Sequence, residues 1–135
     1  MIFKKYSPVG ELSTFAFQYA EVLNRTAGLP MLICDRDHIV AAAGVSRKEY
    51  LERRITPELE ECMQSRRTFV NASGEKLQPV EGIDRKASVV CPILASSDVM
   101  GAVILLEDET QAAPDETQMK LVQVAAAFLG KQMEE

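Results

Sequence analysis

Two apolar runs, Val89 to Ala95 and Val99 to Leu106, are separated only by Ser96-Ser97-Asp98. They are the strongest strand signals in the chain, rich in β-branched residues and apolar at successive positions instead of at every second one. Strands of that kind occupy the interior of a sheet with both faces covered, and the short polar connection makes these two antiparallel neighbours. Pro92 lies within the first run and has no amide to donate, so it marks an irregular place along that strand. Any fold must therefore supply cover for two sides of one sheet.

The remaining pattern offers that cover. Ser7-Pro8 suits a helix start, and Val9, Leu12, Phe15, Ala16, Tyr19, Ala20 and Leu23 recur at three- and four-residue steps until Ala27-Gly28 and Pro30 end the helix. Met31 to Cys34 and Ile39 to Ala43 flank the polar Asp35-Arg36-Asp37 and read as a hairpin whose strands are apolar on both faces. Ser46-Arg47-Lys48-Glu49 matches a capping box for a short helix through Leu51, and Thr56-Pro57 starts another that carries Leu59, Cys62 and Met63 inward. Thr68 to Ala72 reads as a strand. The polar stretch from Ser73 to Lys86 forms a long irregular segment, anchored by Val80 and Ile83.

From Pro114 onward a last helix carries two apolar rows. Met119, Val122, Ala126, Leu129 and Met133 form one; Leu121, Val124, Ala125 and Phe128 form the other. Two rows exceed a single contact, so this helix needs cover from its own sheet and from something else. The element order gives an α+β domain: an antiparallel sheet with the N- and C-terminal helices together on one face, and short helices and the loop on the other. Periodicity by itself leaves GAF and PAS folds open; the paired terminal helices favour GAF.

The 135 residues suffice for one core, and a composition 47% hydrophobic and 26% charged is that of an ordinary globular protein. No apolar run reaches the length of a membrane-spanning helix and no secretory pattern opens the chain, so a cytoplasmic location is expected. A net charge of -5 argues against this stretch holding a nucleic-acid backbone. Its one basic group, Arg47, Lys48, Arg53 and Arg54, is interrupted by Glu49 and Glu52.

Catalytic chemistry finds little support. His38 is the sole histidine and falls in the predicted hairpin turn; HExxH, GxSxG and phosphate-loop patterns are lacking, so neither a metal nor a cofactor is expected. Glu60-Glu61 and Glu107-Asp108-Glu109 read as surface charge. Cys34, Cys62 and Cys91 form no CxxC pair and read as buried small hydrophobes. Thiol-dependent methionine sulfoxide reduction stays a remote alternative, since burial disfavours the reactive thiolate. Ligand binding is better supported: a sheet capped by short helices and an irregular loop encloses a small pocket, here expected to be lined by Tyr50, Arg54, Arg85, Ser88 and Val90.

At Tyr6 to Leu12 (YSPVGEL) and Pro30 to Asp37 (PMLICDRD) the chain resembles the GAF-type C-terminal domains of the stage V sporulation protein T family of AbrB-type regulators. Ser46 to Leu51, Gly82-Ile83, Pro92-Ile93, Met100 to Ile104 and Ala127 to Glu134 extend the resemblance in order along the chain. It implies a sporulation transcription regulator whose DNA contacts belong to an N-terminal domain outside this sequence. Residues 1–6 resemble that domain's last strand and linker, and 7–135 the regulatory domain. The resemblance further implies an unknown small-molecule effector and self-association through the terminal helices. Val9, Leu12, Phe15 and Tyr19 with Val122, Ala126, Leu129 and Met133 are the expected seam. A ligand-free oligomerisation scaffold is the competing reading. Ala72 to Lys86 resembles the family least, which leaves any shared ligand open.

Overall fold

The computed structural model describes residues 13–71, 75–107 and 114–134. Along these the chain forms α1 (Ser13–Ala27), β1 (Met31–Cys34), β2 (Ile39–Ala43), the one-turn α2 (Arg47–Tyr50) and α3 (Pro57–Gln64). β3 (Phe69–Val70), β4 (Ala87–Ala95), β5 (Asp98–Leu106) and α4 (Glu116–Met133) follow. The five strands make one antiparallel sheet in the order β2-β1-β5-β4-β3.

The two apolar runs are the centre of that sheet. They pair from Ala87 opposite Leu106 to Ala95 opposite Asp98. Ser96 and Ser97 turn the corner with φ of 51° and 73°. Left-handed backbone at both central residues is the turn whose twist suits a two-residue hairpin. Beyond Val89 and Val90, which pair with β3, β4 has no outer neighbour among the described strands, and Pro92 sits in that stretch. The β1–β2 corner is held by Asp35, whose Oδ1 accepts from the main-chain N–H groups of Asp37 and His38, each at 2.7 Å.

Both faces are covered, as the doubly apolar strands require. On one, Ala16, Ala20 and Leu23 of α1 and Val122, Ala125, Ala126 and Leu129 of α4 pack against Met31, Ile33, Val103 and Leu105. On the other, Tyr50, Ile55, Leu59, Met63, Leu77 and Val80 cover Leu32, Ile39, Val90, Ile104 and Leu106. Burying each larger aliphatic side chain contributes about 1.5–3 kcal/mol, so neither layer is dispensable.

The end helices are joined through their termini. Gly28, at φ 80°, ends α1 and donates its N–H to the Asn24 carbonyl at 2.9 Å. At the start of α4, Asp115 and Gln118 form a reciprocal capping box. The Gln118 Nε2 donates to the Ala27 carbonyl at 2.9 Å, so the end of α1 is tied to the beginning of α4. Gly130 lets α4 rest directly on β4, since a Cβ there would lie 2.1 Å from the Leu94 carbonyl oxygen.

Four sequence expectations need correction. Ser46 forms no side-chain cap, and the helix behind it is a single turn. The strand expected from Thr68 reduces to Phe69–Val70, with Asn71 in a short 3₁₀ turn and Ala72 outside the described residues. Within the expected seam, Val122, Ala126 and Leu129 face the chain's own sheet and are buried, with Met133 half-buried beside them. Rows at helical spacing do not say which one meets the sheet, and the small Ala125, Ala126 and Gly130 select this side. Of the other row Ala125 is buried as well, and Val124, 60% exposed, and Phe128, 42% exposed, face outward, the Phe128 ring standing edge-on to Tyr19 of α1 at 5.6 Å. Val9, Leu12 and the Phe15 side chain lie outside the described residues. The fourth correction concerns Glu107 and belongs with the site.

Candidate functional site

The five residues expected to line a pocket are divided by the fold. Tyr50 and Val90 are buried in the apolar layer beneath α2 and α3. Arg54 is exposed, because Ile55 beside it turns inward in an extended segment that bridges to Val80 and leaves its neighbour pointing out. Arg85 reaches the end of the sheet where β5 finishes, and Ser88 is buried near the start of β4.

That end holds a polar cluster centred on Glu107. Extended alternation places this side chain directly after the Val99 to Leu106 run, and it is only 5% exposed. Its Oε2 accepts from Asn71 Nδ2 at 2.6 Å and from Lys76 Nζ at 3.1 Å. Its main-chain carbonyl accepts from Arg85 Nε and Nη2 at 3.3 and 3.2 Å, which pins the irregular segment to the end of β5. The sequence reading of Glu107 as surface charge is thus overturned. Its cover comes from Asn71 and Lys76, more than thirty positions away, and no local pattern could announce them.

Ser88 lies at a bulge of β4 near this end of the sheet. The β4–β5 register shifts between Ala87 and Val89, leaving Ser88 as the additional residue. Val70 pairs with Val89, so the next step of that register sets Asn71 beside Ser88. The Ser88 hydroxyl and the Asn71 Oδ1 are both buried and have no hydrogen-bond partner among the described residues. A buried polar atom left unpaired costs about 1–3 kcal/mol. Through Asn71 an unpaired amide oxygen belongs to the same cluster as the Glu107 carboxylate.

Other polar groups have local explanations. The ligand atoms of Asp35, Asp37 and His38 lie within 4.8 Å of one another, but Asp35 is already engaged in shaping the turn. An open groove of about 540 Å³ bounded by Thr56, Pro57, Glu58, Glu61, Gln78 and Glu81 includes none of the five expected residues. The thiols are chemically quiet. Burial pushes Cys34 well above the ordinary thiol range, and Cys62 and Cys91 are raised for the same reason. The Cys34 sulfur lies 3.8 Å from that of Met63, within the apolar layer.

Comparison with known proteins agrees with this architecture. The family described as "Stage V sporulation protein T C-terminal, transcription factor" matches residues 11–134. Stage V sporulation protein T of Bacillus subtilis (strain 168) is 41% identical over 138 residues, spanning 100% of this chain and 76% of that protein. Among solved structures, the GAF domain of an Acinetobacter phosphoenolpyruvate-protein phosphotransferase superposes with a TM-score of 0.68 at 13% identity, covering 96% of this chain and 84% of the other. The cofactor-binding GAF domain of the nutrient sensor CodY from Clostridium difficile superposes at 0.60 with 10% identity, covering 87% and 83%. At such identities the likeness establishes the GAF fold alone.

Proposed function

The chain belongs to the stage V sporulation protein T C-terminal family of transcription-factor domains, and we propose that within it the domain joins regulator subunits through the outer face of α1 and α4. The observation that carries this reading is the apolar surface those helices turn away from the sheet: Val22 at 55% exposure, Val124 and Phe128, with Tyr19 against the Phe128 ring. Surface of this kind on paired helices is stabilised by a second copy presenting the same face. DNA contact is assigned to an N-terminal domain outside this sequence, in keeping with the net charge of -5. The raised thiols weigh against a reductase role.

Sedimentation tests the seam. The double variant Val124→Asp, Phe128→Asp should keep its far-ultraviolet circular dichroism and fall to the monomer mass. If the unsubstituted domain is itself monomeric, or the variant keeps the assembled mass, the outer face is not the seam.

A second reading, that the domain senses a small molecule, is favoured by the Glu107 cluster. Unpaired buried groups beneath an irregular segment are where a ligand gains most from supplying the missing bonds. A thermal-shift screen of nucleotides, amines, carboxylates and amino acids tests it. Uniform silence would leave the ligand-free scaffold as the better description.

A further inference from the structure

Resting on the proposed seam, we infer that it continues over α4 into a groove between that helix and the outer edge of β4, and that a second copy of the chain fills this groove with Val124 and Phe128, each copy serving the other. The groove is open and holds about 340 Å³. It is lined by Cys91, Pro92 and Leu94 of β4 and by Ala126 and Ala127 of α4, with Lys131 beside them. The large apolar side chains exposed on the described residues are Val22, Leu94, Val124 and Phe128, and Leu94, 39% exposed, is the one inside the groove. Ala127 lines the groove and adjoins Phe128, so the apolar surface runs on from α1 over α4 to β4.

Size argues for this extension. A stable interface takes about 800 Å² and about 20–30 residues from each partner. Val22, Val124 and Phe128 are a small part of that, whereas the groove adds a strand edge and a second flank of α4. Pro92 decides what kind of group enters. It has no amide N–H to offer, so this edge is a poor template for an added strand and takes up side chains instead.

Symmetry then selects the arrangement. Successive helical residues point about 100° apart; Phe128 stands against Tyr19 of α1, whereas Ala127 turns toward β4. The helix therefore carries a knob on one flank and a hollow on the other. In a two-fold pair with the α4 helices parallel, each knob faces the partner's hollow; with them antiparallel, knob meets knob. Only the parallel pair leaves neither exposed.

The test uses the whole 135-residue chain. Leu94→Asp should keep its far-ultraviolet circular dichroism and weaken association on the order of 30-fold in sedimentation equilibrium. Unchanged association overturns the groove, while Val124→Asp, Phe128→Asp still reports on the seam. Cys91 supplies a readout that needs no change in the groove. Its alkylation by N-ethylmaleimide, followed by mass spectrometry, should slow several-fold as the protein is concentrated into the assembled form, and recover in the Val124→Asp, Phe128→Asp variant. A Cys91 rate indifferent to assembly overturns the inference and leaves the seam standing; a chain monomeric at every concentration overturns both. Phe128→Glu combined with Leu94→Lys should regain part of the association that each change alone removes, because the parallel pair sets the new charges face to face. Absence of any recovery overturns the mutual arrangement.

Discussion

The two faces of the sheet are built by different means. One is covered by α1 and α4, of 15 and 18 residues, whose inner stripes pack dry against the strands. The other is covered by a single helical turn, an eight-residue helix and an irregular segment held by scattered main-chain bonds, such as Thr56 N–H to the Pro79 carbonyl at 3.0 Å. Both layers bury large apolar side chains. What differs is how the cover is tied together, for a long helix surrenders its bonds cooperatively whereas short pieces release one at a time. The firmer cover suits the proposed seam, and the looser one the proposed sensing role.

Substitutions can break or sharpen this contrast. The largest effect is expected at Leu129, fully buried between α4 and the sheet, where Leu129→Ala should cost about 3–5 kcal/mol in urea unfolding. Its neighbour Phe128 points the other way, so Phe128→Ala should remove less than about half of that. On the softer face Leu59 is equally buried, yet Leu59→Ala should cost only about 2–3 kcal/mol, because a short helix can settle into the space. Equal costs at Leu59 and Leu129 would contradict the difference drawn between the faces.

Alkaline titration gives a smaller effect. Burial raises the Cys34 thiol in the folded protein, so its contribution is complete below the ordinary thiol value, about 8.5. Stability then declines as the pH rises and the unfolded chain gives up that proton first, by up to about 1.4 kcal/mol per pH unit. Cys34→Ala should flatten that decline in urea titrations repeated from pH 8 to pH 10. Smallest is Thr56→Ala. The hydroxyl accepts from the Leu59 N–H at 3.1 Å and donates to the Gln78 carbonyl, so its loss should cost about 1 kcal/mol and quicken hydrogen exchange in α3 and residues 75–80 together.

Much of the fold was legible because its signals are local. The polar Asp35-Arg36-Asp37 and Ser96-Ser97-Asp98 connections mark both hairpins, and Thr56-Pro57 starts α3 in the manner a cap and a first-turn proline predict. The inward side of α4 was harder, since two apolar rows satisfy the same period. Gly130, with Ala125 and Ala126, held the answer, small residues marking where a helix comes closest to strands. The Asp115–Gln118 capping box was also readable from its spacing and was passed over. Of the expected pocket residues, Arg85 reaches the polar cluster, whereas Glu107 and Asn71 carry no local sign of it. Their burial depends on a bulge and on strand pairing between distant segments, which residue order does not display.

The clasp from Gln118 to the Ala27 carbonyl means that neither terminal helix has a private boundary. If α4 detaches, α1 loses the partner for its last-turn carbonyl along with the apolar stripe beside it. The two helices, 91 residues apart at this bond, should therefore fray as a pair. Proteolysis that removes Gln118 would loosen the last turn of α1 without cutting it.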